Sequence, residues 1–275
     1  MTTDDRAVAQ TEPQSVDTWI DVARRTHDDL ADIVVKLDEQ ALARTSGSRL
    51  WDVAQVLGHL GSQAEIGAAS FDAALGKREP PGPDFNPEVW ARWDGLGHRQ
   101  KAVGFLRESD ALVRRYEELD QATRTSLRVD LGFLPAPVDV ATVVSMRVNE
   151  VVLHTWDVKV VDDSDATLFP PAAGLLVART DALIGYLGHA DAIGDRAVTI
   201  AVHTTDPSQS FGLEIADSVR ITDSLTAVDA ELTIPAEAWL RLVAGRLAPE
   251  HTPAGVTMSG DAIDLDDLRR VFPGY

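Results

Sequence analysis

Apolar residues recur three and four positions apart in four long stretches of the first 165 residues, a spacing typical of amphipathic helices. In residues 17–38 the spacing is carried by Trp19, Val22, Leu30, Ile33 and Leu37. The other three stretches are residues 53–75, 87–120 and 139–161. Four helices of this length, joined by modest loops, predict an all-α four-helix bundle.

Local signals predict where two of these helices begin. Asp52 followed by Gln55 matches a capping box, in which each side chain bonds the backbone N–H of the other residue. Asn86 and Pro87 are residue types favoured at the N-cap and the first position of the third helix. The two glycines of the segment GLG at 95–97 predict an interruption within that third helix.

The pattern changes after residue 165. Residues 161–174 (VDDSDATLFPPAAG) have the composition of a linker, and one further helix is predicted in AGLLVARTDALIGYLGH. Short β-branched runs follow, AVTIAVHTT, FGLEIAD, VRITDS and AELTIP, separated by turn residues. Helical patterns in PAEAWLRLVAGRL and DLDDLRRVF flank a last strand, VTMSG. The chain is therefore predicted to contain a flexible segment 1–16, a helical bundle 17–165 and a smaller α+β domain 170–275 with an antiparallel sheet.

Composition narrows the possible partners. The net charge is −19, from 44 acidic and 25 basic residues, which argues against binding to nucleic acid or to an anionic membrane surface. The sequence has no cysteine, so disulfides, thiolate metal ligands and a thiol nucleophile of its own are excluded. No apolar run reaches membrane length, and the first residues lack the features of a signal peptide. We expect a cytoplasmic protein.

The fourth predicted helix carries a polar stripe in an otherwise valine-rich sequence, NEVVLHTWDV. At 100° per residue, Arg147, Glu150, His154 and Asp157 fall within about 80° of one another. The stripe has two interpretations. It is either a solvated face with an ordinary Arg147–Glu150 pair, or it points into the bundle. In the second case a divalent cation would compensate the cost of burying the carboxylate and imidazole.

Glu150 and His154 have the spacing of a metal-binding pair, because side chains four residues apart on a helix can reach one ion. Asp157, one turn further on, could accept a hydrogen bond from the His154 imidazole and orient it. A third ligand would have to come from another helix. His59 on the second helix is the first candidate, and His27 on the first helix is the second.

Two segments together resemble a known family. WDVAQVLGHL, around His59, and NEVVLHTWDV, around Glu150 and His154, resemble the mycothiol-dependent maleylpyruvate isomerases, which belong to the DinB-like metal-binding helical bundles. The resemblance implies that His59, Glu150 and His154 hold a divalent metal, usually zinc, and it also matches Asp157. The stretch AELTIPAEAWLRLVAGRL, followed by VTMSGD, is similar to the sterol-carrier-like α+β unit that often follows in these proteins.

The resemblance implies an enzyme that takes mycothiol, a low-molecular-weight thiol, as cofactor or cosubstrate. Three protein ligands would leave a coordination position open for the thiol sulfur. The thiolate would attack a small electrophilic substrate, in an isomerisation or an S-transfer. Asp157 and Arg147 are candidate catalytic residues beside the metal. The family's arginine for anionic substrates corresponds to Arg99 or Arg92, of which Arg99 is preferred.

Other functions remain open from the sequence. The same metal could activate water in a hydrolase or another transferase. The chain could also be a non-catalytic protein that binds a small molecule and confers resistance, or a metal-free bundle used for interaction. The expected partners are a small-molecule substrate and a thiol, and the protein is expected to be a monomer or a homodimer.

Overall fold

The computed structural model describes residues 14–274, which divide into two units, 14–166 and 167–274. The predicted flexible segment 1–16 therefore lies, except for its last three residues, outside the described part of the chain. The first unit contains the helices α1 (Val16–Val34), α2 (Glu39–Leu42), α3 (Val53–Ala74), α4 (Phe85–Asp94), α5 (His98–Glu117), α6 (Gln121–Ser126) and α7 (Val140–Lys159). A short antiparallel pair, β1 (Arg128–Val129) with β2 (Val138–Asp139), precedes α7.

The four long helices α1, α3, α5 and α7 confirm the predicted bundle. At the start of α3, Asp52 Oδ1 accepts from the Gln55 backbone N–H at 2.7 Å. In return, Gln55 Oε1 accepts from the Asp52 N–H at 2.9 Å, so the predicted capping box is present. The predicted break at 95–97 is also present, because α4 ends at Asp94 and α5 begins at His98.

Two predicted helix boundaries are wrong. The predicted N-cap Asn86 and first residue Pro87 lie inside α4, which begins at Phe85. Proline is tolerated there because the first four N–H groups of a helix have no partner within it, so Pro87 alone does not distinguish the first position from the third. The first helix ends at Val34 and not at residue 38, since the Asp38 side chain instead caps α2 by accepting from the Ala41 N–H at 2.8 Å.

The bundle is held by an apolar core to which α1, α3, α5 and α7 all contribute. Core residues include Leu30, Leu57, Leu60, Phe105 and Val151. The Trp93 ring of α4 inserts between α3 and α5, where it occupies the space that a Cβ at Gly61 or Gly104 would need. Glycine at these two positions thus lets a large ring enter the helix interface.

The second unit is an α+β structure. Its elements are α8 (Pro170–Val177), α9 (Asp181–Leu187), β3 (Val198–Thr205), β4 (Gln209–Ile215), β5 (Val219–Thr222), β6 (Ala230–Pro235), α10 (Ala236–Val243), β7 (Thr257–Ser259) and α11 (Leu265–Val271). The strand order is β5-β4-β3-β6-β7, and every neighbouring pair is antiparallel except β3 with β6.

The sequence predicted the strands of this unit but not all of its connections. The chain leaves the β5 edge and crosses to the far side of β3, so β6 runs parallel to β3 with Val202 opposite Leu232. The predicted linker 161–174 ends early, because α8 begins at Pro170. The helix predicted after the linker is two helices, α8 and α9. Within residues 14–274 no helix combines the length and apolarity needed to cross a membrane.

Candidate metal centre

Two helices bring three potential ligands together. His59 lies two turns into α3, and Glu150 and His154 lie four residues apart on α7. His59 Nε2 is 3.2 Å from Glu150 Oε2, and His154 Nε2 is 3.9 Å from the same oxygen. One ligand atom from each residue can be chosen so that all three lie within 4.8 Å of one another. In the described part of the chain, this is the one group of histidine, aspartate and glutamate side chains with metal-binding geometry.

The polar stripe of α7 faces the interior of the bundle and not solvent. Arg147 is 7% exposed, His154 is 3% exposed and Asp157 is fully buried. The side chains of His59 and Glu150 are 29% and 23% exposed, so the group is accessible from their side. The polar cluster is therefore shielded from solvent at His154 and accessible to solvent at His59 and Glu150.

A carboxylate orients the buried imidazole. His154 Nδ1 is 2.7 Å from Asp157 Oδ2. An ionised carboxylate can only accept a hydrogen bond, so Nδ1 donates to Asp157, and in the neutral imidazole Nε2 is then the nitrogen that carries the lone pair. That lone pair is on the side of Glu150. Such carboxylate–histidine pairs are the usual support of a histidine that binds metal.

Glu150 is held in its anionic form. Burial by itself would raise the pKa of this carboxyl group. The hydrogen bonds from His59 and Gln63, together with the electrostatic effect of His154, outweigh burial and lower the pKa to about 2. At neutral pH the cluster therefore presents one carboxylate and two imidazoles, a donor set that suits zinc and similar divalent ions.

Comparison with known proteins identifies the family of the helical bundle. Residues 23–159 match the family described as the mycothiol maleylpyruvate isomerase N-terminal domain. Through its helical bundle, the chain belongs to this family. The match spans α3 and α7, the two helices that carry the three potential ligands. The second unit lies outside the matched residues.

Solved structures extend the similarity in fold to most of the chain. The chain is similar to the crystal structure of a mycothiol-dependent maleylpyruvate isomerase, with a TM-score of 0.62 and 14% sequence identity. The alignment covers 90% of this chain and 93% of the other. A histidine-to-alanine mutant of such an isomerase aligns over the same shares, with a TM-score of 0.61 and 14% identity. No protein with a curated description matches the chain.

His27, the second candidate for the third metal ligand, lies away from Glu150 and His154. His27 is buried on α1, where its Nδ1 is 3.0 Å from Ser109 Oγ of α5 and its ring packs against Phe105. Burial lowers the pKa of His27, and the nearby charge of Arg24 lowers it further. The structure therefore groups His59, and not His27, with Glu150 and His154.

The arginines have different surroundings. Arg147 donates from Nη2 to Ser109 Oγ at 3.1 Å and, more weakly, from Nη1 to Gln63 Oε1 at 3.4 Å. Burial lowers its pKa to about 10. Arg99 is exposed and donates to the Leu37 carbonyl at 2.8 Å. The structure thus keeps Arg147 beside the cluster, whereas the described contact of Arg99 is with a backbone carbonyl.

Arg92, the other arginine considered for an anionic substrate, belongs to a surface group. Its side chain pairs with Glu65 of α3, which also accepts a hydrogen bond from Trp93 Nε1 at 2.9 Å. The hydrogen bond to Glu65 raises the pKa of Arg92, and the opposing effect of burial is smaller. Arg92 therefore has a structural explanation in fixing α4 to α3.

Two residues of the centre were not singled out from the sequence. The Trp51 ring lies 4.9 Å from the His59 ring and 5.9 Å from the His154 ring, measured between centroids. Gln63 Nε2 donates to Glu150 Oε2 at 2.8 Å. Gln63 could have been found from its position four residues after His59, on the same face of α3. Trp51 precedes the helix, so helical periodicity does not place it.

Asp157 provides a first test of the centre. We expect Asp157→Ala to weaken metal binding about 10- to 100-fold, because the His154 ring loses the acceptor that fixes its tautomer. Asp157→Asn keeps the volume and an acceptor oxygen but loses the charge, so we expect a smaller loss. Zinc affinity can be measured by competition with a chromophoric chelator. Equal affinity in both variants and the original chain would contradict this role for Asp157.

Proposed function

We propose that the chain is a divalent-metal-dependent enzyme that uses mycothiol on a small electrophilic substrate, in an isomerisation or an S-transfer. The observation that carries the proposal is the group formed by His59, Glu150 and His154, which is buried on one side and accessible on the other. Three protein ligands with an accessible fourth side are typical of catalytic sites, whereas structural zinc sites are normally closed by four protein ligands.

The residues present fit a divalent metal, and zinc fits best. Two neutral imidazoles and one carboxylate are a common catalytic zinc donor set. His59 donates a hydrogen bond to Glu150, and a bound metal would take the place of that proton. When bound, the metal would lower the pKa of a coordinating thiol and stabilise the thiolate at neutral pH.

The chain's own residues would prepare the site for this chemistry. Glu150 is anionic before metal binds, and Asp157 keeps His154 in the tautomer that can bind metal. The Trp51 ring, beside both histidines, supplies an apolar wall at the half-open side of the cluster. Arg147 adds positive charge nearby, which favours an anionic occupant such as a thiolate or a carboxylate.

The absence of cysteine is consistent with a nucleophile supplied by a cosubstrate. The sequence contains no thiol, so a thiol reaction at this centre requires a thiol from outside the chain. The similar crystal structures are of mycothiol-dependent maleylpyruvate isomerases, which makes mycothiol the first thiol to test. Maleylpyruvate is, for the same reason, the first substrate to test.

The test is turnover with each component omitted in turn. We expect isomerisation of maleylpyruvate by the zinc-loaded protein with mycothiol, and loss of turnover when either mycothiol or the metal is removed. Metal should be restored to the chelator-treated protein as a control. Turnover of an ester or amide that does not depend on thiol would instead support a hydrolase that activates water. Stoichiometric ligand binding without turnover would support a binding protein.

A further inference from the structure

Gln63 connects the anionic ligand to a buried cation. Its Nε2 donates to Glu150 Oε2 at 2.8 Å, and its Oε1 accepts from Arg147 Nη1 at 3.4 Å. The two neighbours determine which way the amide points. Arginine can only donate and an ionised carboxylate can only accept, so the amide oxygen must face Arg147 and the amide nitrogen must face Glu150.

Arg147 is an unusual residue to find in the core. It is 7% exposed, and its Nε atom has no hydrogen-bond partner. Its other described hydrogen bond runs from Nη2 to Ser109 Oγ at 3.1 Å. Among the described residues no carboxylate bonds it directly, and Glu150 is the carboxylate whose charge acts on it. Burying a cation without a partner is costly, so its link to Glu150 through Gln63 needs an explanation.

We propose that Gln63 is a positioning residue that holds the Glu150 carboxylate in the orientation required for metal binding, with Arg147 keeping the Gln63 amide from turning over. The oxygen that Gln63 holds, Glu150 Oε2, is also the one nearest to His59 Nε2 and His154 Nε2. Gln63 thus fixes the carboxylate oxygen that faces both imidazoles. This inference rests on the proposed function, since it requires that the cluster bind a metal.

Ser109 offers a matched control within the same network. Gln63 and Ser109 both accept hydrogen bonds from the Arg147 guanidinium, but Ser109 lies on the side of His27 and Gln63 on the side of Glu150. A purely structural role, in which the partners of Arg147 only stabilise the core, predicts similar effects of removing either one. A positioning role predicts that removing Gln63 weakens metal binding and that removing Ser109 does not.

The experiment compares Gln63→Met with Ser109→Ala in the full chain. Methionine keeps the length of glutamine and removes both hydrogen bonds. Affinities for Zn²⁺ and Co²⁺ are measured by chelator competition, the Co²⁺ absorption spectrum reports ligand geometry, and urea unfolding of the metal-free proteins reports stability. We expect Gln63→Met to bind about 10- to 100-fold more weakly with an altered Co²⁺ spectrum, as for partners that orient a ligand. Ser109→Ala should bind both ions with the affinity of the original chain, because Ser109 has no described contact with Glu150, His59 or His154.

The possible outcomes separate this inference from the proposed function. If the original chain binds no stoichiometric metal, the proposed function and this inference both fail. If the original chain binds metal and Gln63→Met binds equally well, or if Ser109→Ala loses as much affinity, only the positioning role is overturned. Should Gln63→Met not fold, Gln63→Asn takes its place. Its side chain stays polar but is one methylene too short to span Arg147 and Glu150, and we expect the same loss of affinity.

Discussion

Replacement of His154 by alanine is expected to abolish metal binding at the bundle and, with it, thiol-dependent turnover. The change removes one of three ligands and leaves His59 and Glu150, which come from different helices. The loss of affinity should exceed the roughly 10- to 100-fold loss expected for a residue that only orients a ligand. Elemental analysis after chelator-free purification and chelator competition both measure it.

The stability of the variant has to be separated from its loss of metal. His154 is buried and bonded to Asp157, so its removal also disturbs the core. His59→Ala is the second variant, since the His59 side chain is 29% exposed and its removal should disturb the core less. Both variants should lose metal, while only His154→Ala should lower the free energy of unfolding of the metal-free protein appreciably.

His98 supplies the matched control. It is a histidine of the same bundle and also lies near two carboxylates, with Nδ1 3.3 Å from Glu39 Oε1 and Nε2 3.5 Å from Asp52 Oδ2. His59 lies beside the buried imidazole of His154, which Asp157 orients, whereas the described partners of His98 are the two carboxylates alone. We expect His98→Ala to keep the metal content of the original chain. If His154→Ala also kept it, the centre described above could not be the metal site.

Substitution of Gly61 by alanine is expected to destabilise the bundle strongly, although alanine is the better helix former. The added Cβ would overlap the Trp93 ring, which packs against α3 at this point. Overpacking typically costs about 1–3 kcal/mol. A Cβ only 2.2 Å from a Trp93 ring carbon puts Gly61 at the upper end of that range, above the roughly 1 kcal/mol that alanine gains over glycine in a helix interior. Urea unfolding of the metal-free protein measures the difference.

Gly67, on the same helix, distinguishes packing from helix propensity. A Cβ at this position would lie 3.5 Å from Leu112 Cδ2, an ordinary van der Waals contact. We therefore expect Gly67→Ala to be neutral or to stabilise the protein by up to about 1 kcal/mol. The two substitutions are chemically identical, but only Gly61→Ala should lower the free energy of unfolding. A similar effect of both would mean that Trp93 does not determine the packing at Gly61.

Much of the fold could be predicted from the sequence because it depends on local patterns. The 3.6-residue periodicity identifies the long helices, and the Asp52–Gln55 capping box is complete within four residues. Local patterns were less reliable where two of them compete. Leu37 continues the apolar periodicity of α1, but the side chain of the next residue, Asp38, accepts a hydrogen bond from the Ala41 backbone N–H, so Asp38 begins α2 and does not extend α1. Pro87 is compatible with any position of the first helical turn.

In the candidate site, too, contacts within one helix could be predicted from the sequence, whereas contacts between helices could not. The Glu150–His154 pair and the contact of Asp157 with His154 follow from helix geometry, since all three residues lie on one helix within two turns. The choice between His59 and His27 does not, because both are histidines within helices of the same bundle. The structure groups His59 with Glu150 and His154, whereas His27 faces Ser109 and Phe105 of α5.

The sequence by itself determined the four long helices of the bundle, the strands of the second unit, and the face of α7 on which the polar groups lie. Only the tertiary structure decided that this face is buried, that Gln63 joins Arg147 to Glu150, and that β6 runs parallel to β3. Periodicity defines a direction about the axis of one helix, but it does not determine which neighbour lies in that direction. That choice depends on how side chains from distant parts of the chain fit together, as Trp93 does against Gly61 and Gly104.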